Sequence, residues 1–244
     1  AGLDDGLTAI ARAAWLGQGR STPLPLLLPG TPTQPRTLTE AEAKAALAAH
    51  GLRIPQARRA ATPAELTATL SDMALPLVIK AEGLAHKPEA GGVLFLRAAG
   101  NIPETLAKAI AMPCQSWLIE EMIAAPIAEL LIGVLRDPAH GFVLTLGAGG
   151  TLTEILRDTT SLLLPVTEAD LTQAPSHLRA APLLGGYRGQ PAANHAAILK
   201  AVMAVQDYVI AHAATLEEVE INPLLCTASD AVAVDALITK GERP

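Results

Sequence analysis

Apolar residues recur along this chain at two different spacings, and these spacings predict a mixture of helices and strands. The helical spacing runs through "TLTEAEAKAALAAHGL", where Thr39 is a predicted N-cap and Gly51 a predicted stop. Short apolar runs such as "LPLVIK" and "GFVLTLG" predict buried strands. Because helices and strands are mixed without a strict strand–helix–strand repeat, we expect an α+β fold of two lobes, each a sheet backed by helices.

Proline separates the start of the chain from the rest. Residues 21–37 contain five prolines, and proline cannot continue a helix, so this segment is predicted to be an extended linker. Residues 1–20 show a helical pattern and are interpreted as the end of a preceding domain. We expect the two lobes to follow the linker, the first at residues 38–113 and the second at residues 114–244.

Composition and charge exclude two classes of partner and favour one compartment. Half of the 244 residues are hydrophobic, and the net charge is −6 without a clustered Lys/Arg stripe, so no nucleic acid is expected as a partner. No apolar run approaches the roughly 20 residues that a spanning helix needs, so no membrane is expected either. Cys114 and Cys226 are far apart and form no CxxC pair, which favours buried thiols in a reducing cytoplasm.

The two strands predicted at the end of the chain carry three oxygen-bearing side chains. Glu220 and Asn222 are two positions apart and therefore point to the same face. If "TASD" forms the turn, antiparallel pairing places Asp235 opposite Asn222, whereas a one-residue slip would turn Asp235 to the other face. Two carboxylates and an amide oxygen suit Mg²⁺, and Pro223 must lie at an edge or an irregular position. A solvated strand face that simply carries acidic residues is the alternative.

Several segments, taken in order, resemble one family of nucleotide-binding proteins. They are "LVIKAEGLAHKPEAGGV", "IEEMI", "AELLIGVLRDPAHGFVLTLGAGGTLTEILRD", "LLGGYRGQP", "VEINPLL" and "AVAVDALI". In this order they resemble the ATP-grasp domain of NDP-forming acyl-CoA synthetases, of the type found in the β subunit of ADP-forming acetyl-CoA synthetase and related to the succinyl-CoA synthetase β subunit. The resemblance covers residues 38–240. It implies an ATP-grasp fold that binds a nucleotide between its two lobes.

The resemblance also implies a reaction. A carboxylic acid, CoA and ATP would give acyl-CoA, ADP and phosphate reversibly, with ATP or ADP and Mg²⁺ as the cofactors of this chain. A main phosphohistidine in the CoA-binding ligase domain would carry the phosphoryl group between distant sites, and a second histidine in the ATP-grasp part would relay it to the nucleotide. The implied partner is a CoA-binding ligase domain or subunit of the same synthetase, where CoA and the acid would bind. Residues 1–20 would then be the tail of a preceding ligase domain, and assembly into an oligomer is compatible with the family.

The segment that follows the strand ending at Lys80 is where the resemblance implies phosphoryl chemistry. His86 would accept and relay the phosphoryl group, because imidazole is a competent nucleophile near neutral pH. Lys87 would steady the transferred charge, and the glycines on either side, Gly83 and Gly91, would let the loop swing. Lys80 itself would bind the α- or β-phosphate as a point charge. Without the resemblance, His86 would be interpreted as an exposed loop histidine.

The acidic segment "IEEMI" resembles the part of ATP-grasp proteins that joins the lobes and holds the adenine base by backbone groups. Glu120 and Met122 are favoured for these base contacts, and Glu121 is a near equal. Glu129 resembles an acidic residue that faces the nucleotide pocket. A salt-bridged strand residue is the alternative for Glu129.

On this interpretation Asn222 and Asp235 hold magnesium, with Glu220 as a supporting or second ligand. Two other functions stay open. The first is another ATP-grasp ligase, which joins a carboxylate to an amine without a phosphohistidine. The second is a nucleotide-binding regulatory module that binds ATP without turnover.

Overall fold

Two antiparallel sheets, each backed by helices, form the frame of the molecule in the computed structural model. The structure describes residues 2–17, 26–31, 33–83, 91–150 and 153–242, without the side chain of Glu154. Within these ranges the helices are α1 Leu3–Gly17, α2 Glu40–Ala48, α3 Pro63–Asp72, α4 Ile102–Ile110, α5 Thr153–Leu156, α6 Glu168–Gln173, α7 Ala181–Leu184 and α8 His195–His212. The strands are β1 Thr33–Thr37, β2 Ala57–Ala60, β3 Leu77–Glu82, β4 Val93–Leu96, β5 Ser116–Glu121, β6 Ala128–Asp137, β7 Gly141–Ala148, β8 Thr159–Leu163, β9 Leu216–Cys226, β10 Ala231–Ala233 and β11 Ala236–Glu242.

The smaller sheet has the strand order β2-β5-β3-β4, and its neighbouring strands are antiparallel. Side chains alternate between its two faces, as the strand period requires. One face carries Ile79 and Trp117 and packs on α3 and α4, which contribute Leu66, Leu70 and Ala109 to the same core. The indole Nε1 of Trp117 donates a hydrogen bond of 2.9 Å to the carbonyl oxygen of Ala109. The opposite face of this sheet is therefore turned away from its helices.

The larger sheet has the strand order β1-β11-β9-β6-β7-β8, and β10 also pairs with β9. Helix α8 packs on this sheet with the buried stripe Ile198, Val202 and Val205, which follows the helical period. Helix α2 joins the same core through Ala43 and Leu47. The predicted α+β architecture of two sheets backed by helices is confirmed.

The N-cap and the stop that the sequence predicts for α2 are both observed. Thr39 forms a capping box with Glu42, in which each side chain accepts a hydrogen bond from the backbone N–H of the other residue. Gly51 follows α2 with a positive φ of 96°. Thr62 caps α3, and Pro63 occupies the first turn of that helix.

The predicted boundary between the lobes at residues 113 and 114 differs from the observed arrangement of the sheets. Strand β5 lies between β2 and β3 in the smaller sheet, so that sheet extends past residue 113 and the chain leaves it only after Glu121. Helix α2, although it falls in the predicted first lobe, packs into the core of the larger sheet. A single cut in the sequence fails here because burial is decided by which faces meet in space, and the chain crosses between the sheets more than once.

Part of the predicted linker, residues 21–37, is a strand. β1 pairs with β11 through Arg36 and Lys240 and through Thr37 and Thr239. The five residues of β1 are all exposed, so no apolar alternation marks them, and proline composition alone favours a linker. Residues 21–25 and 32 lie outside the described part of the chain.

The segment "AVAVDALIT" forms two strands instead of one. Val234 and Asp235 separate β10 from β11, and the N–H of Val234 donates a hydrogen bond of 3.3 Å to the carbonyl oxygen of Pro223. On β9, Asn222 and Pro223 together face the single residue Leu131 of β6, which is a β-bulge. The prediction that Pro223 lies at an irregular position is confirmed.

Helix α1 is present as predicted, and all of its residues are exposed. Among the described residues, no helix is both long enough and apolar enough to cross a membrane.

Candidate functional site

Lys80 lies on the face of the smaller sheet that is turned to the larger sheet. Alternation along β3 places Ile79 in the helix-backed core and Lys80 on the opposite side. The ammonium group of Lys80 is 2.7 Å from Oε1 of Glu40 and 3.0 Å from Oε2 of Glu120, and it also donates to the carbonyl oxygen of Val234. Its side chain is only 9% exposed. The predicted phosphate-binding lysine therefore points into the space between the sheets.

The ammonium group of Lys80 keeps its charge in this buried position. Burial alone lowers the pKa of Lys80, but the carboxylates of Glu40, Glu120 and Asp235 together raise that pKa above its ordinary value. The contact between Lys80 and the carbonyl oxygen of Val234 brings the break between β10 and β11 close to the smaller sheet. A charged lysine between the sheets is suited to attract a phosphate group.

The last strands bring Glu220, Asn222 and Asp235 to neighbouring positions. Ala236 pairs with Ile221, so the ladder has the predicted register and Asp235 lies opposite Asn222. The bulge at Asn222 interrupts regular pairing, and bulges re-aim the side chains next to them. The register is confirmed, and the role of these residues as metal ligands stays a prediction.

Carboxylates lie close together around Glu220, and this concentration of negative charge favours a bound cation. Burial raises the pKa of Glu220, and the carboxylates of Glu218 and Asp235 raise it further. Among the residues that the structure describes, no group of three or more His, Cys, Asp and Glu side chains is arranged to hold a metal. The candidate set has two carboxylates and an amide instead, and such a set fits Mg²⁺, which retains several of its waters.

The glycine-rich turn after β7 packs on two candidate residues. The N–H of Gly150 donates a hydrogen bond of 2.9 Å to Oδ1 of Asn222. Gly150 has a φ of +81°, and a Cβ atom there would lie 2.1 Å from Oε2 of Glu129, so a larger residue cannot take this conformation without displacing that carboxylate. The N–H of Gly149 donates to the carbonyl oxygen of Glu129 at 2.8 Å. This turn follows β7 and precedes α5 in the chain.

The three residues predicted to contact the base differ in their surroundings. The carboxylate of Glu120 is buried and contacts Lys80, as described above. Glu121 accepts a hydrogen bond of 3.0 Å from the N–H of Gln56 and pairs with Arg53 at 2.8 Å. Although partial burial alone raises the pKa of Glu121, these two contacts lower it below its ordinary value. The side chain of Glu121 is thus engaged on the opposite face of β5.

The N–H of Met122 donates a hydrogen bond of 3.0 Å to the carbonyl oxygen of Pro76. A base bound along this segment must use other backbone groups or displace this bond. A cavity of about 550 Å³ lies beside the segment that leads from β5 to β6. Residues 122–127, Arg53 and the turn at Thr227–Asp230 line it. This volume lies within the range of small-molecule sites.

His86 and Lys87 lie outside the described residues. The glycines at the two ends of that segment are described: Gly83 has a φ of +85° and Gly91 has a φ of +68°. Both adopt a backbone conformation that is readily accessible to glycine.

Two residues of the site were not predicted from the sequence, namely Glu40 and Lys44 of α2. Both side chains are only 3% exposed, and the amine of Lys44 is 2.8 Å from Oε1 of Glu40. The available signal was their position on the apolar stripe of the helix, in line with Ala43 and Leu47. Charged residues on such a stripe must be paired when the helix is buried.

Comparison with known proteins identifies the fold and the family. The sequence model of a protein family described as an ATP-grasp domain matches residues 32–239 of this chain. The chain is 32% identical over 223 residues to subunit beta of ADP-forming acetate–CoA ligase II from Pyrococcus furiosus, covering 84% of this chain and 92% of that subunit. It is also 30% identical over 230 residues to a trans-feruloyl-CoA synthase from an unknown prokaryotic organism, covering 88% of this chain but 32% of that protein.

A solved structure agrees with these relatives. Acetyl-coenzyme A synthetase 1 of Ca. Korarchaeum cryptofilum, in complex with coenzyme A and Ca-AMPCP, superposes with a TM-score of 0.77 at 26% identity, covering 84% of this chain and 93% of that chain. A second structure of that enzyme, with Mg-AMPPCP and a phosphohistidine segment pointing towards the nucleotide binding site, gives a TM-score of 0.73 at 26% identity, covering 84% and 92%. The two sheets and the site between them define an ATP-grasp domain. The chain belongs to the ATP-grasp family, in the branch that contains the β subunits of ADP-forming acetate–CoA ligases.

Proposed function

We propose that this chain is the ATP-binding part of an ADP-forming acyl-CoA synthetase. The complete enzyme would convert a carboxylic acid, CoA and ATP into acyl-CoA, ADP and phosphate, and would also run in reverse. In this proposal the chain binds the nucleotide with Mg²⁺ between its sheets and passes the phosphoryl group through His86. CoA and the acid bind at a separate ligase domain or subunit of the same synthetase.

The observation that carries the proposal is the approach of the last strands to Lys80. Lys80 donates to the carbonyl oxygen of Val234, the residue before Asp235, and the strand register places Asp235 opposite Asn222. The candidate phosphate-binding and metal-binding groups are therefore close to one another, as phosphoryl transfer requires, because its catalysis depends on positioning and charge neutralisation.

Each group then has a defined task. Lys80 attracts the phosphates, and Asn222 and Asp235, with Glu220 in support, hold the metal. Bound Mg²⁺ supplies neutralisation of phosphate charge during transfer. The unprotonated imidazole nitrogen of His86 attacks the γ-phosphorus, so that an N–P bond forms while the bond from phosphorus to the bridging oxygen breaks and ADP leaves.

Other residues complete the proposed nucleotide site. Glu129 faces the nucleotide beside the glycine-rich turn, Lys87 steadies the transferred phosphoryl group, and the segment from Glu120 to Met122 contacts the base. The names of relatives support different acyl groups, since one is an acetate–CoA ligase and another a feruloyl-CoA synthase. We place the enzyme in the cytoplasm, where the free thiols Cys114 and Cys226 stay reduced.

The test is incubation of the chain with Mg²⁺ and ATP that carries a radiolabel on its γ-phosphate. We expect a covalent label that is stable in base and labile in acid, which is lost in His86→Asn. His177→Asn, at an exposed histidine outside the site, is the matched control and keeps the label. Binding of Mg·ATP without any label, even when the CoA-binding subunit is added, would contradict the relay and favour a binding module.

An assay of ADP release by the chain together with the CoA-binding subunit distinguishes the proposed synthetase from a ligase that joins a carboxylate to an amine. With the CoA-binding subunit present, an acyl-CoA synthetase needs both CoA and the acid for ADP release to continue beyond the first equivalent, and it loses that turnover in His86→Asn. ADP release that requires an amine, ignores CoA and tolerates His86→Asn would assign the chain to the other kind of ligase.

A further inference from the structure

Two lysines share one set of acceptors in the space between the sheets. Lys80 contacts Oε1 of Glu40, Oε2 of Glu120 and the carbonyl oxygen of Val234. Lys44 contacts the same Oε1 of Glu40 at 2.8 Å, the other oxygen of Glu120, and the same carbonyl oxygen of Val234 at 3.2 Å. We call these two lysines, two glutamates and the Val234 carbonyl the lysine-pair cluster.

Lys44 donates hydrogen bonds to three acceptors in this cluster, and Lys80 donates to two and forms an ion pair of 3.0 Å with the third. A lysine ammonium group has three N–H donors, and Lys80 and Lys44 each have three acceptors within the cluster. The four side chains are between 2% and 9% exposed, so water cannot replace a lost partner easily. Lys80 can donate to a phosphate only if it gives up at least one of these contacts.

The two lysines differ in how firmly the fold holds them. Lys44 stands in the middle of α2, between Ala43 and Leu47, which are completely buried in the core of the larger sheet. The side chain of Lys80, on β3, is 9% exposed against 3% for Lys44, and Lys80 is the lysine that the proposed function assigns to the phosphate. Lys44 is therefore the fixed cation of the cluster, and Lys80 is the one that can leave.

We propose that Lys44 is a positioning residue for nucleotide binding: it stays with the two glutamates and so allows Lys80 to move from the cluster to the phosphate. The proposal rests on the function proposed above and adds a residue to it. Without Lys44, departure of Lys80 would leave the buried carboxylates of Glu40 and Glu120 with neither lysine of the cluster, which is unfavourable because a buried charge that loses a partner is destabilised. With Lys44 in place, one positive charge remains between them.

This arrangement predicts opposite effects for two substitutions. Lys44→Met leaves Lys80 as the only lysine of the cluster for two carboxylates, so Lys80 is held more tightly there and the Kd for Mg·ATP rises by about tenfold, within the usual range for coupled groups. Glu40→Gln removes one negative charge, so Lys80 is released more easily and the Kd falls by about fivefold, at the lower end of the same range. Calorimetry with purified variants of the whole chain measures both values.

Three controls accompany this measurement. Adenosine has no phosphate, so its Kd stays the same in both variants. Lys108→Met removes the lysine of an exposed Glu–Lys pair at the same helical spacing, with Glu104, and leaves the Kd for Mg·ATP unchanged. The double variant Glu40→Gln/Lys44→Met removes one carboxylate together with one lysine, and its Kd returns toward that of the original chain.

The result that overturns the proposal is a change in the same direction for Lys44→Met and Glu40→Gln, or no change in either one. A cluster with only a structural role would lower the affinity in both variants, together with the melting temperature. If Lys44→Met does not fold, the proposal is decided by whether the Kd for Mg·ATP falls in Glu40→Gln and returns toward the original value in the double variant. Failure of the underlying function is seen separately, because the unaltered chain would then not bind Mg·ATP, or Lys80→Met would bind it equally well.

Discussion

At the scale of the residue, the site shows how burial changes the meaning of a charged side chain. The sequence marks Lys80 as a lysine at the end of a buried strand, and the structure adds that three carboxylates keep it charged. Glu40 and Lys44 look like an ordinary helical pair in the sequence. Their low exposure makes them part of the lysine-pair cluster instead.

Gly150 offers a test at this scale. In Gly150→Ala the new Cβ would meet Oε2 of Glu129, and the N–H that supports Asn222 would shift with it. We expect the Kd for Mg·ATP to rise by about tenfold, because displacement of a positioned group costs about 1–2 kcal/mol. Binding is measured by calorimetry at fixed Mg²⁺ concentration.

Gly51→Ala is the matched control, since Gly51 also has a positive φ but no atom lies within 4 Å of its added Cβ. It loses about 1–2 kcal/mol of stability from backbone strain and keeps its affinity. Equal affinities for the two variants would show that the turn at Gly150 does not support the site.

At the scale of the element, sequence patterns were informative where local chemistry decides the structure. The cap and stop of α2 and the register of β9 with β11 all follow from short-range rules. β1 and β8 are edge strands, and β1 carries no apolar alternation, so the sequence did not indicate it. The break at Val234 and Asp235 depends on the bulge in the neighbouring strand, which no local pattern contains.

Helix α2 provides the test at this scale. Thr39 Oγ1 accepts from the N–H of Glu42 at 3.3 Å, and the Glu42 carboxylate accepts from the N–H of Thr39 at 2.9 Å. Thr39→Ala should lower the free energy of unfolding by about 1 kcal/mol. Thr67→Ala, at an exposed threonine inside α3 whose hydroxyl bonds only to the Pro63 carbonyl among the described contacts, should change it much less.

The effect of Thr39→Ala depends on pH in a defined direction. The N–H and then the hydroxyl of Thr39 donate to the Glu42 carboxylate and lower its pKa below the ordinary value of 4.5, so the ionised side chain stabilises the fold at neutral pH. Thr39→Ala keeps the N–H contact and removes the hydroxyl contact. This contribution is lost as the pH falls from 4.5 through the lowered pKa. Urea unfolding of both proteins at neutral and acidic pH should therefore give a smaller difference in acid, and a difference that grows in acid would contradict the capping box.

At the scale of the whole molecule, the two sheets are linked by more than the covalent chain. Helix α2 is buried on the larger sheet yet supplies Glu40 and Lys44 to side chains of the smaller sheet. The carbonyl oxygen of Val234, from the larger sheet, joins the same cluster. A boundary drawn along the sequence cannot represent such crossings, which explains why the predicted division at residue 113 differs from the observed sheets.

This linkage predicts that the sheets unfold together. The chain has two tryptophans, and Trp117 lies in the core of the smaller sheet, whereas Trp15 is on the exposed helix α1. In Trp15→Phe, the fluorescence of Trp117 reports the smaller sheet alone, and circular dichroism reports the whole molecule. We expect the two signals to change at the same urea concentration. An earlier fluorescence transition would mean that the smaller sheet unfolds independently.

Strand β1 has a consequence for how the protein behaves at high concentration. An uncovered edge strand exposes a row of unpaired backbone groups that can template pairing with another chain. β1 covers the edge of β11, and it is itself short, polar and irregular, with a shift in register between Thr33 and Arg36 around Pro35. These features make β1 a poor template for pairing with another chain. Although its proline content predicts a linker, β1 protects this edge of the larger sheet from intermolecular aggregation.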